Sequence, residues 1–245
     1  MNDMKTLKKI LIFTTLVAIS LSVLASCDTY IAGKDPVGAN ELGTVRVNDG
    51  DYVIILDQSG EYTFKNMEDE LYRIHAEEDG QRVIVTYYFA DGSHRPGSPI
   101  DIYKVLTKDI FEMNEAAEDS IGNDRINVES AWISGGYINI RFGYYASGMK
   151  SHFINLVSYP QGSGDVPVTD APYFELRHND FNDGWNYWME DYVSFPADFD
   201  TESCDRIYIG YTNYYGQKNI IELSKSGSDP DGTGVTTGDL RVKLQ

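Results

Sequence analysis

Two histidines are the residues of this chain best suited to hold a metal ion. His152 and His178 each stand beside a strand-like segment, and Glu175 or Asp180 could add a carboxylate. Two imidazoles with one carboxylate are a donor set for zinc and other divalent metals. The alternative is that the imidazoles hydrogen-bond across a sheet and fix strand register, because buried polar groups find such partners. We favour this structural role and predict no metal site.

A second stretch, His178–Tyr192, places aromatic rings among acids in the sequence HNDFNDGWNYWMEDY. If this stretch is a hairpin loop, some rings will be exposed, and exposed aromatic residues are enriched at binding surfaces. Rings beside carboxylates can also stack on sugars. The alternative is that the stretch folds back and buries its rings. The candidate ligand-binding residues are Phe181, Trp185, Tyr187 and Trp188.

Enzyme signatures are missing from the sequence. It contains neither G-x-S-x-G nor H-E-x-x-H, the signatures of serine hydrolases and zinc proteases. Cys204 has no cysteine or histidine at ligand spacing. The loop Ser228–Gly234 lacks the ligands of a calcium loop, so we interpret it as a turn. The sequence predicts a non-catalytic protein and indicates no cofactor.

Cys27 indicates where the protein resides. Lys5, Lys8 and Lys9 precede an apolar run that ends in Leu24-Ala25-Ser26-Cys27. A basic segment followed by an apolar one is typical of a secretory signal, and this run is shorter than the roughly 20 residues of a membrane-spanning helix. The tetrapeptide resembles the lipobox of bacterial lipoproteins, in which the cysteine is lipidated and becomes the mature N-terminus.

The charge of the chain limits its partners. The formal net charge is −18 at pH 7, whereas nucleic-acid affinity depends on neutralising phosphates with lysine and arginine. Nucleic acid is therefore excluded as a partner. The remaining classes are a protein partner, a glycan, and the membrane reached through a lipid on Cys27.

The strand pattern predicts an all-β fold. Short β-branched and aromatic runs (among them 52–56, 61–64, 70–75, 81–89 and 100–106) are separated by turns in the first part of the chain, which suits a small five-stranded OB-like barrel. A polar stretch, 109–124, forms at most a short helix. Further strands follow. In Tyr137–Tyr145, Ile138, Ile140 and Phe142 alternate with Asn139, Arg141 and Gly143, so we expect one buried and one wet face.

We therefore predict four segments. They are a lipoprotein signal peptide (1–26), a lipidated N-terminus and tether (27–40), the OB-like barrel (41–112) and a β-sandwich (113–245), in which Asp239–Gln245 could close a sheet edge.

Several blocks of the chain are recognisable together. They are GYINIRF (136–142), HFINLV (152–157), ELRHN (175–179), YVSF (192–195), LTKDI (106–110) and IGND (121–124), together with the strand that contains Trp132. With the lipobox-like tetrapeptide, they resemble the NigD-like lipoproteins of the Bacteroidetes. The resemblance implies an N-terminal OB-like domain and a C-terminal β-sandwich. It implies no catalytic residues.

The functional hypothesis that follows is a lipid-anchored binding module of the cell envelope, expected at the outer membrane and acting on a protein partner. A bacteriocin-associated or immunity-like role is suggested by the family resemblance alone. The alternative is a carbohydrate-binding accessory lipoprotein that uses the aromatic stretch. A hydrolase has no specific support.

Overall fold

The computed structural model describes residues 38–89, 95–114, 116–160, 171–197 and 205–224. The predicted signal peptide and lipidation site, Cys204, the loop Ser228–Gly234 and the segment Asp239–Gln245 lie outside these ranges. No helix within the described residues is both long and apolar enough to cross a bilayer.

The first sheet forms the OB-like half of the molecule (residues 38–104). Its strands are β1 (Gly38–Asn48), β2 (Asp51–Leu56), β3 (Gly60–Tyr62), β4 (Arg82–Phe89) and β5 (Pro96–Lys104), in the order β3-β2-β1-β4-β5. The edge strands β3 and β5 approach each other, because the Tyr62 hydroxyl donates to the Gly97 carbonyl at 2.7 Å. The sheet therefore bends around its own core, which includes Val45, Ile54, Leu71, Val83 and Val85.

Helix α1 (Met67–Arg73) connects β3 to β4. The predicted strand at 70–75 is therefore wrong. Met67 and Leu71 are four residues apart, so both reach the core from one side of a helix. Glu68, Asp69 and Glu70 stand in its first turn, where negative charge favours a helix. Strand β1 went unrecognised in the sequence, and it begins within the last residues of the predicted tether.

The sandwich is built from two further sheets. The five-stranded sheet has the order β14-β13-β11-β10-β7, and the four-stranded sheet has the order β6-β12-β9-β8. The elements are β6 (Leu106–Thr107), β7 (Phe111–Glu112), α2 (Glu118–Ile121), β8 (Asn127–Ser134), β9 (Tyr137–Ala146), β10 (Phe153–Ser158), β11 (Tyr173–Asn179), β12 (Tyr187–Pro196), β13 (Arg206–Thr212) and β14 (Lys218–Ser224).

Apolar side chains from both sheets of the sandwich form one core, which includes Ile138, Ile140, Phe142, Leu156, Leu176, Val193, Phe195 and Ile209. The prediction of an all-β chain with an OB-like half and a sandwich is confirmed. The division at residue 113 stays a prediction, and β6 and β7 lie on its N-terminal side although both pair with strands of the sandwich.

Candidate functional site

The outer face of the four-stranded sheet is the surface of interest. Side chains alternate along a strand, so Ile138, Ile140 and Phe142 of β9 enter the sandwich core while the side chains between them face outward. The OB-like half covers part of that face. Asn139 is buried there, which makes the expectation of a wet face wrong at this position. Beyond the covered part, the face stays open around Gly143 and Tyr145.

An aromatic surface occupies the open part. It is defined by Tyr145, Trp185, Trp188 and Tyr214, and all of these except Tyr145 are exposed. Trp188 and Tyr145 are directly opposite each other on β12 and β9, with ring centroids 5.1 Å apart and edge to face. The Trp185 ring stacks on Tyr145 at 6.0 Å with an interplanar angle of 10°.

Gly143 determines how Trp188 lies. A Cβ atom at Gly143 would come within 2.1 Å of Cζ2 of Trp188, so the indole lies directly against the glycine backbone. The indole N–H then donates to Glu190 at 2.9 Å. The guanidinium of Arg141 binds the same carboxylate at 2.7 Å. These contacts hold Trp188 flat on the sheet in spite of its exposure.

The predicted ligand-binding residues separate into three places. Trp185 and Trp188 belong to the aromatic surface, whereas Phe181 packs edge to face on Phe153 at 4.8 Å. Tyr187 is opposite Ala146, so its side chain lies on the other face of β12 from Trp188. Tyr145 and Tyr214 were missed. The cross-strand position of Tyr145 depends on the pairing of β9 with β12, which no local pattern reveals. The stretch between β11 and β12 is also no hairpin, because these strands belong to different sheets.

The two histidines contact each other. His178 lies in β11 and His152 immediately precedes the adjacent strand β10. Nδ1 of His152 is 2.9 Å from Nε2 of His178. The outer nitrogens are also engaged, His152 Nε2 with Asp183 at 3.2 Å and His178 Nδ1 with the Arg125 carbonyl at 2.9 Å. All four ring nitrogens therefore have partners inside the protein.

The hydrogen-bond acceptors at the two ends of this series, the Arg125 carbonyl and Asp183, determine which ring nitrogens carry a hydrogen. The Arg125 carbonyl can only accept, so Nδ1 of His178 donates. Hydrogen bonds from Ser147 and His152 hold the pKa of Asp183 far below its usual range, so its carboxylate also accepts from His152. One more hydrogen lies between the rings, so hydrogen bonds inside the protein use every ring nitrogen of the pair.

His178 is kept neutral by its surroundings. Burial is the largest influence on His178 and lowers its pKa, and the neighbouring His152 lowers it further. Tyr144 packs on both imidazoles, with ring centroids at 4.8 Å and 5.3 Å. The neutral His178 therefore accepts from His152, whose other nitrogen donates to Asp183.

Glu175 lies in a separate network. Its carboxylate accepts from the hydroxyls of Tyr159 and Tyr173 and pairs with Arg177 and Lys218. It does not join the two histidines, so the structure does not bring the alternative metal ligands His152, His178 and Glu175 together. Within the described ranges, no group of three histidine, cysteine or acidic side chains could hold a metal ion.

The comparisons with known proteins identify one family. Residues 109–224 match the NigD-like C-terminal beta sandwich domain. None of the curated proteins matches the chain.

Three solved structures share the fold. A protein of unknown function from Bacteroides vulgatus is 18% identical, with a TM-score of 0.61 and coverage of 83% of this chain and 96% of that one. A candidate toxin-related protein from Parabacteroides distasonis is 24% identical, with a TM-score of 0.59 and coverage of 78% and 95%. A NigD-like immunity protein from Bacteroides caccae is 20% identical, with a TM-score of 0.54 and coverage of 76% and 92%. Residues 109–224 of the chain are therefore a NigD-like C-terminal β-sandwich domain.

Proposed function

We propose that this protein is a non-catalytic binding module of the cell envelope that engages a protein partner through its aromatic surface. The observation that carries the proposal is the exposure of Trp185 and Trp188 on a sheet face that the OB-like half leaves open. Tryptophan, tyrosine and arginine are the residues most enriched at the energetic centres of protein interfaces.

The packing of the rings favours a protein over a sugar. A sugar stacks on a ring face that is free. Gly143 covers one face of Trp188, and Tyr145 meets the same indole edge to face. Trp185 has Tyr145 stacked on it and the Arg125 guanidinium 5.1 Å from its ring centre. Such mutually packed rings present a rigid, mixed aromatic surface, which suits a protein partner at a low cost in side-chain entropy.

The buried polar groups support a non-catalytic role. A general base needs a nitrogen or oxygen that can reach a substrate, whereas both histidines of the buried pair use both ring nitrogens inside the protein. The carboxylate of Glu175 is enclosed by tyrosine and basic side chains in the same way.

A lipid on Cys27 would hold the module at the membrane. The sequence Leu24–Cys27 resembles a lipobox, and multiple acyl chains give a stable attachment where one chain does not. We place the protein at the outer membrane. The NigD-like relative from Bacteroides caccae is described as an immunity protein, so we infer that the partner is a toxin-like protein that this module neutralises.

Site-specific photocrosslinking tests the proposal. Benzoylphenylalanine replaces Tyr187, which is 66% exposed and directly precedes Trp188 in β12, or the control Tyr72, which is 68% exposed on helix α1. The chain is expressed with its signal in the native host, and adducts are identified by mass spectrometry. We expect a defined protein adduct from position 187 and none from position 72. Equal labelling at the two positions would refute a specific surface.

A glycan array separates the alternative. The chain from Asp28 onward, which contains the whole described fold, is applied to the array as the wild type and as Trp185→Ala/Trp188→Ala. We expect no specific signal from either. Glycan binding that the double substitution abolishes, with no protein adduct at position 187, would establish the carbohydrate-binding function instead.

A further inference from the structure

A cleft of about 340 Å³ lies between the OB-like half and the outer face of the four-stranded sheet. Its floor is apolar and comes from both halves, with Leu42 and Ile84 on one side and Trp132 and Tyr192 on the other. Cavities of this size accommodate a large side chain or a small molecule. The cleft therefore offers an apolar pocket next to the aromatic surface.

One carboxylate at the rim of the cleft lacks a cation. Oδ1 of Asp191 accepts from the Tyr103 hydroxyl and from the Tyr192 N–H, both at 2.7 Å. Within the described part of the chain, Oδ2 has no hydrogen-bond donor and no lysine or arginine forms an ion pair with Asp191. Glu190, by contrast, is paired with Arg141. The cleft thus combines an apolar floor with an unneutralised negative charge.

The strand that carries Asp191 has a free edge. β12 pairs with β9 along its whole length, Tyr187–Pro196. On its other side it pairs with β6 only at Val193 and Ser194, and none of the strands described in this structure pairs with Tyr187–Asp191 there. An unpaired strand edge is a template for an added strand. Glu190 and Asp191 belong to this edge and also line the cleft.

We propose that the free edge of β12 and the cleft together receive an extended basic segment of the partner. The segment's main chain pairs with Tyr187–Asp191, and one arginine or lysine side chain enters the cleft beside Asp191. In strand addition, main-chain hydrogen bonds supply affinity and side-chain pockets supply specificity. The proposal rests on the proposed function, because it assigns the chemistry of that same protein partner.

The cleft can accommodate both the apolar stem and the charged head of a basic side chain. Arginine and lysine carry an apolar stem that packs on aliphatic and aromatic surface while the charged head stays at the rim. The ring of Trp132 forms part of the floor, and an indole attracts a cation. The net charge of −18 adds a long-range attraction for a basic segment.

Selection from a random peptide library displayed on phage tests the inference. The targets are the wild-type chain from Asp28 onward, Asp191→Asn, and the control Glu61→Gln, which removes an exposed carboxylate from β3. Asparagine can still accept from Tyr103, so the substitution removes charge and little else. We expect wild type and Glu61→Gln to enrich peptides with arginine or lysine at one fixed position among β-branched residues. Asp191→Asn should lose that preference.

Two kinds of modified peptide measure separately the contributions of the arginine charge and of the main-chain hydrogen bonds to β12. Replacing the selected arginine by citrulline keeps its shape and removes its charge, and should weaken binding about tenfold, or about 1.4 kcal/mol. N-methylation of alternate backbone nitrogens on one side of the peptide should abolish binding, and methylation on the other side should not. A library without enrichment, or a basic preference that Asp191→Asn leaves intact, overturns the proposal.

The crosslinking experiment distinguishes the two levels of the argument. If Asp191→Asn leaves the protein adduct at position 187 unchanged, the aromatic surface binds a partner but the basic-segment inference is wrong. If the adduct itself is missing in wild type, the proposed function fails, whatever the peptides show.

Discussion

The guanidinium of Arg82 and the carboxylate of Asp57 form an ion pair that is buried between the two halves of the molecule. Nη2 of Arg82 is 2.6 Å from Oδ2 of Asp57, and the two side chains are 0% and 4% exposed. Both residues belong to the OB-like half, yet Ser134 of the sandwich donates to Asp57 at 2.6 Å. Asn139 of the sandwich also accepts from Arg82 at 3.3 Å. The sandwich therefore completes a polar network that the OB-like half begins.

Breaking this pair should be costly. Arg82→Met removes the cation and leaves the Asp57 carboxylate buried with only neutral donors. Asp57→Ala removes the anion and leaves the Arg82 guanidinium buried without a carboxylate. Removing one partner of a buried ion pair costs about 3–5 kcal/mol. We therefore expect each single substitution to lower the free energy of urea unfolding by that amount. The double substitution should cost less than the sum of the two.

An exposed pair in the same half provides the control. Arg46 and Asp79 are 3.4 Å apart, with side chains 45% and 57% exposed, and exposed ion pairs contribute about 0–1 kcal/mol. Arg46→Met should therefore change the unfolding free energy by less than about 1 kcal/mol. Equal effects of Arg46→Met and Arg82→Met would contradict a structural role for the buried pair.

Gly143 should be required for the position of Trp188. In Gly143→Ala the new methyl group would meet the indole at 2.1 Å, so the ring must leave the sheet and its N–H must leave Glu190. We expect the indole N–H resonance of Trp188 to move towards its random-coil position. Overpacking of this kind costs about 1–3 kcal/mol.

Replacing Trp188, the residue that the new methyl group would meet, gives the comparison variant. Gly143→Ala/Trp188→Leu removes the ring that the methyl group meets, so its stability should exceed that of Gly143→Ala alone. Crosslinking at position 187 should fall in both variants, because both disrupt the aromatic surface. An unchanged Trp188 resonance in Gly143→Ala would show that the ring does not lie on the glycine.

How far the sequence predicts this fold depends on whether a signal is local. The alternation of Ile138, Ile140 and Phe142 identifies β9 and its core-facing side without any partner. Asn139 belongs by pattern to the wet side, but the OB-like half covers it and gives it Ser194 and Arg82 as partners. That contact joins residues more than fifty positions apart, so no window of sequence contains it.

The same limit applies to the candidate site. The aromatic stretch marks Trp185 and Trp188, because rings among acids stand out in composition. Tyr145 joins them only through the register of β9 against β12. The two histidines were recognisable as a pair. Their partners Asp183 and Arg125 lie in the connections that lead from one sheet of the sandwich to the other, so no local pattern identifies them. Segment 70–75 misled because its short alternation is compatible with a strand, while its helical contacts begin at Met67.

Acid should destabilise the sandwich through Glu175. Burial raises the pKa of this carboxyl, but hydrogen bonds from Lys218, Tyr159 and Tyr173 outweigh burial and hold it below the ordinary value of 4.5. Between the folded pKa and 4.5, the Glu175 carboxyl therefore binds more protons in the unfolded chain than in the folded chain. The stabilisation is complete above pH 4.5 and is lost as the pH falls through the folded pKa.

Glu175→Gln isolates this contribution. The amide keeps the shape of the side chain and cannot titrate, so the variant should be less stable than wild type at pH 7 and show a shallower loss of stability below pH 4.5. Urea unfolding followed by circular dichroism at several pH values measures both slopes. Parallel pH profiles for the two proteins would show that Glu175 does not carry the effect.

The cost of protonating the buried His178 should lower the stability of the folded protein in a pH range above that of Glu175. Its folded pKa lies below the ordinary 6.5, chiefly because of burial, while Asp124, Asp180 and the Arg125 carbonyl oppose the shift. Between the folded pKa and 6.5, the unfolded chain binds more protons than the folded chain. Stability from this group is therefore present above pH 6.5 and falls as the pH drops below it.

Nitrogen chemical shifts of the imidazoles test this scheme directly. At pH 6, Nε2 of His178 should have the shift of a non-protonated nitrogen, because burial and the neighbouring His152 lower the pKa of this ring. Nδ1 of the same ring should have the shift of a protonated nitrogen, because it donates to the Arg125 carbonyl. A protonated Nε2 at pH 6 would show that burial does not keep His178 neutral, and the expected loss of stability below pH 6.5 would then have no source in this residue.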